Sequence, residues 1–232
     1  MSTHATFAWW QHAVSDSWAR WVVGYIPAPE TWPPPPDGHR LPPAAGVPLP
    51  GPVASGWALD YYRRRGWWRQ RTPIGREMWR FKYRGDLDAG WRLVHVAAGF
   101  LSAQLDSNAV DCVVPVPSSP EFREYSASQW LGEKLALTMG KPAMTDLFIR
   151  SRLGTQQKEL STFEARQANI RGLFTVAPHH KRKIRGKRIL LTDDLSKSGY
   201  TLAELRKVLS DAGSGKIIPF AFVEAGNTRK GL

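Results

Sequence analysis

Residues 187–213 read KRILLTDDLSKSGYTLAELRKVLSDAG, and this one stretch sets out a strand, a turn and a helix in succession. Ile189, Leu190 and Leu191 form a short apolar run of the kind buried in a parallel sheet. Two adjacent carboxylates, Asp193 and Asp194, follow it. Small and polar residues come next: Leu195, Ser196, Lys197, Ser198, Gly199, Tyr200 and Thr201. Leu202, Leu205, Val208 and Leu209 then recur at helical spacing, and Gly213 is placed to stop the helix. Strand, acidic pair, hydroxyl-rich turn and amphipathic helix together predict an α/β domain.

That succession suits a sugar phosphate. Amides of the turn, and those left free at the helix N-terminus, converge on one spot where the helix dipole favours a dianion. The hydroxyls of Ser196, Ser198 and Thr201 add donors. Gly199 lets the backbone approach a ligand or take a positive φ. Asp193 and Asp194 at the strand tip can accept hydrogen bonds from vicinal ribose hydroxyls, with the turn of residues 195–201 on the phosphate. A plain strand-to-helix turn with solvated acids is the alternative, and any α/β protein can contain one. Nucleotide-hydrolase and dinucleotide sites find no support, because neither G-x-x-x-x-G-K-[ST] nor G-x-G-x-x-G occurs.

The segment LLTDDLSKSGYTL resembles the ribose-5-phosphate loop of type I phosphoribosyltransferases, whose usual form is apolar-apolar-x-Asp-Asp-x-x-Thr-Thr-Gly-x-Thr. The wider chain, over about residues 80–224, resembles the ComF branch, which is associated with DNA uptake in naturally competent bacteria. Lys197 and Ser198 stand where that family usually has two threonines. FKYRGD at 81–86 is similar to a Lys-Tyr-x-Gly-Asp element found just before the first long helix of ComF proteins. VVPVPSS at 113–119 resembles the strand and turn of the pyrophosphate loop, which assigns Pro117, Ser118 and Ser119 to pyrophosphate. Family members continue with Arg-Gly-x-Asn-Gln; residues 123–129 read REYSASQ and keep only Gln129.

Residues 147–176 follow the ComF order of Arg-x-Arg, Gln-x-x-Leu and Arg-x-x-Asn-x-x-x-x-Phe. The matches are Arg150, Arg152, Gln157 (Gln156 in another register), Leu160, Arg166, Asn169 and Phe174. The resemblance implies a mobile loop that folds over substrate and excludes water. It places Arg150, Arg152 and Arg166 against pyrophosphate, makes Asp193, Asp194, Arg150 and Arg152 the catalytic candidates, and brings Mg²⁺ in on the ligand. What it implies overall is a binder of phosphoribosyl pyrophosphate or a related ribose phosphate, transferring phosphoribosyl to an acceptor if catalytic. The other implied function is a non-catalytic accessory protein of DNA uptake that holds single-stranded DNA.

Composition agrees with an anionic partner. The chain has 232 residues and a formal net charge of +12, which favours polyanions, phosphorylated substrates or acidic surfaces. Its one cysteine, Cys112, lies in an apolar run and reads as core rather than as a reactive thiol. A single cysteine makes no internal disulfide, and the four-cysteine zinc module common among ComF-like proteins is lacking. No apolar run reaches the length of a membrane span and the N-terminus has no signal-peptide layout, so the expected location is the cytoplasm. An oligomer is compatible with all of this.

Two segments stand apart. Residues 1–58 form a Trp/Pro-rich extension, with Trp9, Trp10, Val14, Trp18, Trp21 and Val22 on one face of a short helix. Eleven prolines follow between Pro27 and Pro52. It reads as a linker tying an aromatic helix to the main domain, or as a docking surface for a protein partner. Residues 61–86 interleave cations with rings. Arg63, Arg64, Arg65, Trp67, Trp68 and Arg69 are the candidate contacts for single-stranded nucleic acid, cations on phosphates and rings on unpaired bases. Equally, the rings belong to the core and the arginines stack on them from a solvated face.

The remaining elements are a helix over 87–105 with Leu87, Trp91, Val94, Ala98, Leu101 and Leu105 inward, a strand over 112–116, a helix over 126–139, a basic hairpin over 179–188 and a last strand over 217–223. His95 reads as a core histidine, while His179 and His180 give no signal. The expected architecture is an α/β, type I phosphoribosyltransferase-like fold over residues 59–232, a mostly parallel sheet flanked by helices. Ligands of such sheets bind beyond the carboxyl ends of the strands, which puts 193–201 and 117–119 on one rim.

Overall fold

The computed structural model describes residues 41–44, 46–53, 55–64, 70–106, 108–117, 126–151, 168 and 170–225. All of them fall within one unit, Pro35–Leu232. The aromatic helix of the extension, Arg65, Trp67, Trp68, Arg69, Ser118, Ser119, Arg152, Gln157, Leu160, Arg166 and Asn169 lie outside the described residues.

Five strands make the central sheet in the order β1-β2-β7-β6-β3: β1 (Val47–Pro48), β2 (Trp57–Tyr61), β3 (Cys112–Pro115), β6 (Ile189–Ser196) and β7 (Ile217–Glu224). β2, β7, β6 and β3 run parallel, and β1 joins the edge antiparallel. The chain is thus a mixed α/β protein with a mostly parallel sheet. β1 and β2 have no counterpart in the sequence reading, and the chain enters the sheet at Val47, ahead of the boundary placed at residue 58. β4 (Phe148–Arg150) and β5 (Phe174–Val176) pair as a separate antiparallel ribbon.

Helices cover both faces, as parallel strands buried on both sides require. α1 (Pro73–Arg84), α2 (Leu87–Gln104) and α3 (Ala127–Thr138) pack on one face, and α5 (Tyr200–Asp211) packs on the other; α4 (Lys181–Ile184) is a short turn before β6. Strand alternation sorts the core between them. Ile189, Leu191 and Ala221 meet Leu202, Leu205 and Leu209 of α5. On the opposite face Phe220 stacks on Phe100, and Trp130 lies against Phe81 and Trp91. Cys112 is core as expected, and burial pushes its thiol up to about 11.

Several expectations need correction. α1 was not foreseen: Thr72 caps it by accepting from the Gly75 amide, Pro73 opens it, and Gly85 closes it. The buried face of α2 is rotated from the one read in the sequence. It carries Ala89, Leu93, Val94, Ala97, Phe100 and Leu101, plus Arg92, whose guanidinium is paired with Glu77. The basic 179–188 segment is a 3₁₀ turn (Pro178–His180) followed by α4, not a hairpin.

Candidate functional site

β6 is flanked on both sides by parallel neighbours, so its carboxyl end lies inside the rim rather than at its edge. The strand does not stop at Leu191. Its pairing with β7 continues through Asp193↔Ala221 and Leu195↔Val223 to Ser196↔Glu224. The acids are therefore strand residues, and the turn shrinks to Lys197, Ser198 and Gly199. Ser196 is a buried strand residue, while Tyr200 and Thr201 belong to the first turn of α5.

Pleating sends consecutive side chains to opposite faces. Asp194 shares the face of Leu190 and Thr192, beneath α1 and α3. Its Oδ2 receives Lys82 Nζ, from the last turn of α1, at 2.5 Å. Asp193 shares the face of Leu191, and its Oδ1 accepts the Asp194 amide at 2.9 Å. Burial raises the Asp193 pKa, and the Asp194 carboxylate raises it further; Lys82 offsets only part of this. Burial pulls Lys82 down, but the ion pair with Asp194 outweighs it and holds the ammonium above its ordinary value. Lys82 belongs to the cation-rich 61–86 segment but not to the residues singled out there for nucleic acid. Its partner is this acid, and only its place in the FKYRGD element signalled a special role.

Gly199 holds a left-handed φ of 74° at the N-cap of α5 and offers no capping side chain. The N-cap residue therefore brings no side chain to compete for the first-turn amides of α5, and a helix start of this kind suits an anion. A second piece of chain braces this corner. The Pro50 carbonyl oxygen and a Val53 methyl lie 2.2 and 2.5 Å from where a Gly199 Cβ would stand. The Ser198 carbonyl lies 2.6 Å from where a Gly51 Cβ would stand. Arg206 of α5 donates to Ser55 Oγ at 2.9 Å from the same strap. Lys197 is exposed.

Of the expected pyrophosphate residues, Pro117 lies on this rim. The preceding Val116 amide donates to Thr192 O at 2.8 Å and ties the end of β3 to β6. Arg150 lies on β4, with its guanidinium 5.2 Å from the Phe174 ring centroid. In the basic-aromatic segment, Arg63 lies over Tyr62, Arg71 over both Tyr62 and Trp79, and Arg84 over Trp79. Arg64 is exposed. Arg63, Arg71 and Arg84 thus stack on the segment's own rings.

No family model matches the chain, and no curated protein does. A solved structure described as "structure of the allosteric regulatory enzyme of purine biosynthesis" is similar at 18% identity with a TM-score of 0.38. The match covers 57% of this chain and 25% of that one. This chain thus spans about a quarter of the length of that structure, and a likeness of that degree decides nothing about activity.

Proposed function

We propose that the protein belongs to the sugar-phosphate-binding class of α/β proteins, with its ligand on the rim above β6. More particularly, we propose a phosphoribosyltransferase-like protein of ComF type that binds phosphoribosyl pyrophosphate or a related ribose phosphate. The observation that carries this reading is the acid pair near the carboxyl end of the interior strand β6, followed after a short turn by the glycine-capped N-terminus of α5. Asp194, and Asp193 beside it, accept the ribose hydroxyls, with Lys82 as the counter-ion they must share. The amides of residues 197–201 take the 5-phosphate.

The acids alone make a poor cation cage, because Asp194 is neutralised by Lys82 and Asp193 is biased toward its protonated form. A Mg²⁺ ion brought in with the ligand would be held by the ligand's own oxygens rather than by Asp193 and Asp194, and would supply charge neutralisation there. In the catalytic form of this reading the C1–O bond to pyrophosphate breaks. An acceptor lone pair forms the new C1 bond, and Arg150, Arg152 and Arg166 offset the charge of the departing pyrophosphate.

Titration calorimetry with phosphoribosyl pyrophosphate and Mg²⁺ tests this. The expected result is one site, lost in Asp193→Asn. Absence of heat with the wild-type chain, where Lys197→Thr binds, would overturn it. The competing reading, single-stranded DNA held along residues 61–84, predicts salt-dependent binding that weakens on replacing Arg63, Arg64, Arg65, Trp67 or Trp68.

A further inference from the structure

His179 and His180 end the 3₁₀ turn after β5, and Asp146 lies just before β4. The antiparallel pairing of these strands brings the two places together: Val176 is opposite Phe148, and the Ala177 amide donates to Leu147 O at 2.9 Å. The imidazoles lie with ring centroids 4.1 Å apart. His180 Nε2 stands 3.0 Å from Asp146 Oδ1, and His179 Nε2 stands 4.0 Å from Asp146 Oδ2. One donor atom from each residue falls within 4.8 Å of the other two.

His180 is the unusual member. Its side chain is 7% exposed; Nδ1 is buried without a hydrogen-bond partner among the described residues, and Nε2 faces the Asp146 carboxylate. Leaving one buried ring nitrogen unsatisfied costs about 1–3 kcal/mol, and a buried histidine that meets an exposed carboxylate and a second imidazole is a natural ligand set.

We propose that Asp146, His179 and His180 bind a divalent transition metal of zinc's class, with solvent completing the shell. Two imidazole nitrogens and one carboxylate oxygen are a borderline donor set, which selects zinc, copper or nickel over magnesium and calcium. Tetrahedral zinc with bonds of about 2.0–2.1 Å sets its donors about 3.3 Å apart. His180 and Asp146 are already near that spacing. The exposed His179 needs only to swing inward. The metal staples the base of the β4–β5 ribbon, at the end opposite residues 151–173, and so fixes the frame on which Arg150 is carried. The neighbouring Lys181, Arg182 and Lys183 repel a cation and keep the affinity moderate.

The test uses the full chain, free of any purification tag and stripped of metal. Titration with Zn²⁺ is expected to show one equivalent bound, with a rise in Tm that Mg²⁺ does not reproduce. Co²⁺ is expected to give the visible absorption of a low-symmetry, four- or five-coordinate ion. Asp146→Asn and His179→Ala, both at exposed positions, are expected to weaken Zn²⁺ binding about tenfold or more, as is His180→Ala if it folds. His95→Ala leaves binding unchanged. No binding, or binding that survives Asp146→Asn and His179→Ala alike, overturns the site. In that case the cluster is an ordinary acid–imidazole contact.

Discussion

Lys82 Nζ lies 2.5 Å from Asp194 Oδ2, joining the last turn of α1 to the carboxyl-terminal part of β6 across 112 positions of sequence. Both side chains are largely out of water, at 17% and 11% exposure. Removing one partner of such a pair costs about 3–5 kcal/mol, because the other charge stays buried and alone. Lys82→Met is therefore expected to destabilise the fold by roughly that amount in urea unfolding near neutral pH. The folded-state pKa of Lys82 is raised above 10.5. Its contribution is complete below the unfolded-state value and fades as pH rises through the folded one. Wild type should lose stability over that alkaline range more steeply than the variant does.

Asp193 behaves in the opposite sense to a salt-bridged acid. Burial and the adjacent Asp194 raise its pKa, so the fold favours its protonated form. That contribution is present below the unfolded-state value and is lost as pH rises through the raised folded-state value. Asp193→Asn keeps an oxygen for the Asp194 amide and carries no charge. It is expected to stabilise the protein by about 1–2 kcal/mol at neutral and higher pH, with the gain vanishing in acid. Binding of ribose phosphate is expected to be lost in the same variant. Melting curves from pH 4 to 9 beside calorimetric titration separate the two effects; a variant less stable than wild type at pH 8 would contradict the assignment.

Those two acids show how far sequence carries. The apolar run from Ile189 to Leu191 and the spacing of Leu202, Leu205 and Leu209 are local signals, and they placed β6 and α5. The continuation of β6 through Asp193–Ser196 is not local. Asp is a poor strand former, and what holds this run extended is register with β7 as far as Glu224. α1 was legible and missed, since Thr72-Pro73 is a helix-start signal. The density of arginine and tryptophan around it drew a reading as a nucleic-acid surface instead. The partners of Lys82 and His180 could not be read at all. Each is brought to its acid by strand and helix packing between distant segments.

Two glycines in the same backbone region should respond differently to alanine. Gly140 has φ 64° with nothing within 4 Å of a built Cβ, so Gly140→Ala should cost only the left-handed penalty, about 1–2 kcal/mol. Gly199, at φ 74°, would also drive its Cβ to 2.2 Å from the Pro50 carbonyl oxygen. Either the 50–53 strap or the start of α5 must then move. Gly199→Ala should cost clearly more than Gly140→Ala in denaturant unfolding and should weaken ribose-phosphate binding, which Gly140→Ala leaves alone. Equal costs would mean that the strap yields freely and does not brace the corner.

Glu77 tests the face beneath α1 and α2. Its Oε2 accepts from Arg92 Nε at 2.8 Å, and Arg92 is 3% exposed. Arg80, on the surface, reaches the other oxygen at 3.4 Å. Glu77→Ala leaves the Arg92 guanidinium buried without this carboxylate, for an expected loss of about 3–5 kcal/mol. Arg92→Leu alone should cost less, because Glu77 keeps Arg80 as a partner. Replacing both, Glu77→Leu with Arg92→Leu, removes the two charges together. That double variant should recover most of the stability lost by Glu77→Ala, since apolar side chains of similar volume replace a buried ion pair at little net cost. The full double-mutant cycle in urea measures the coupling. An additive result would mean that water reaches Arg92 and the pair contributes little to joining α1 to α2.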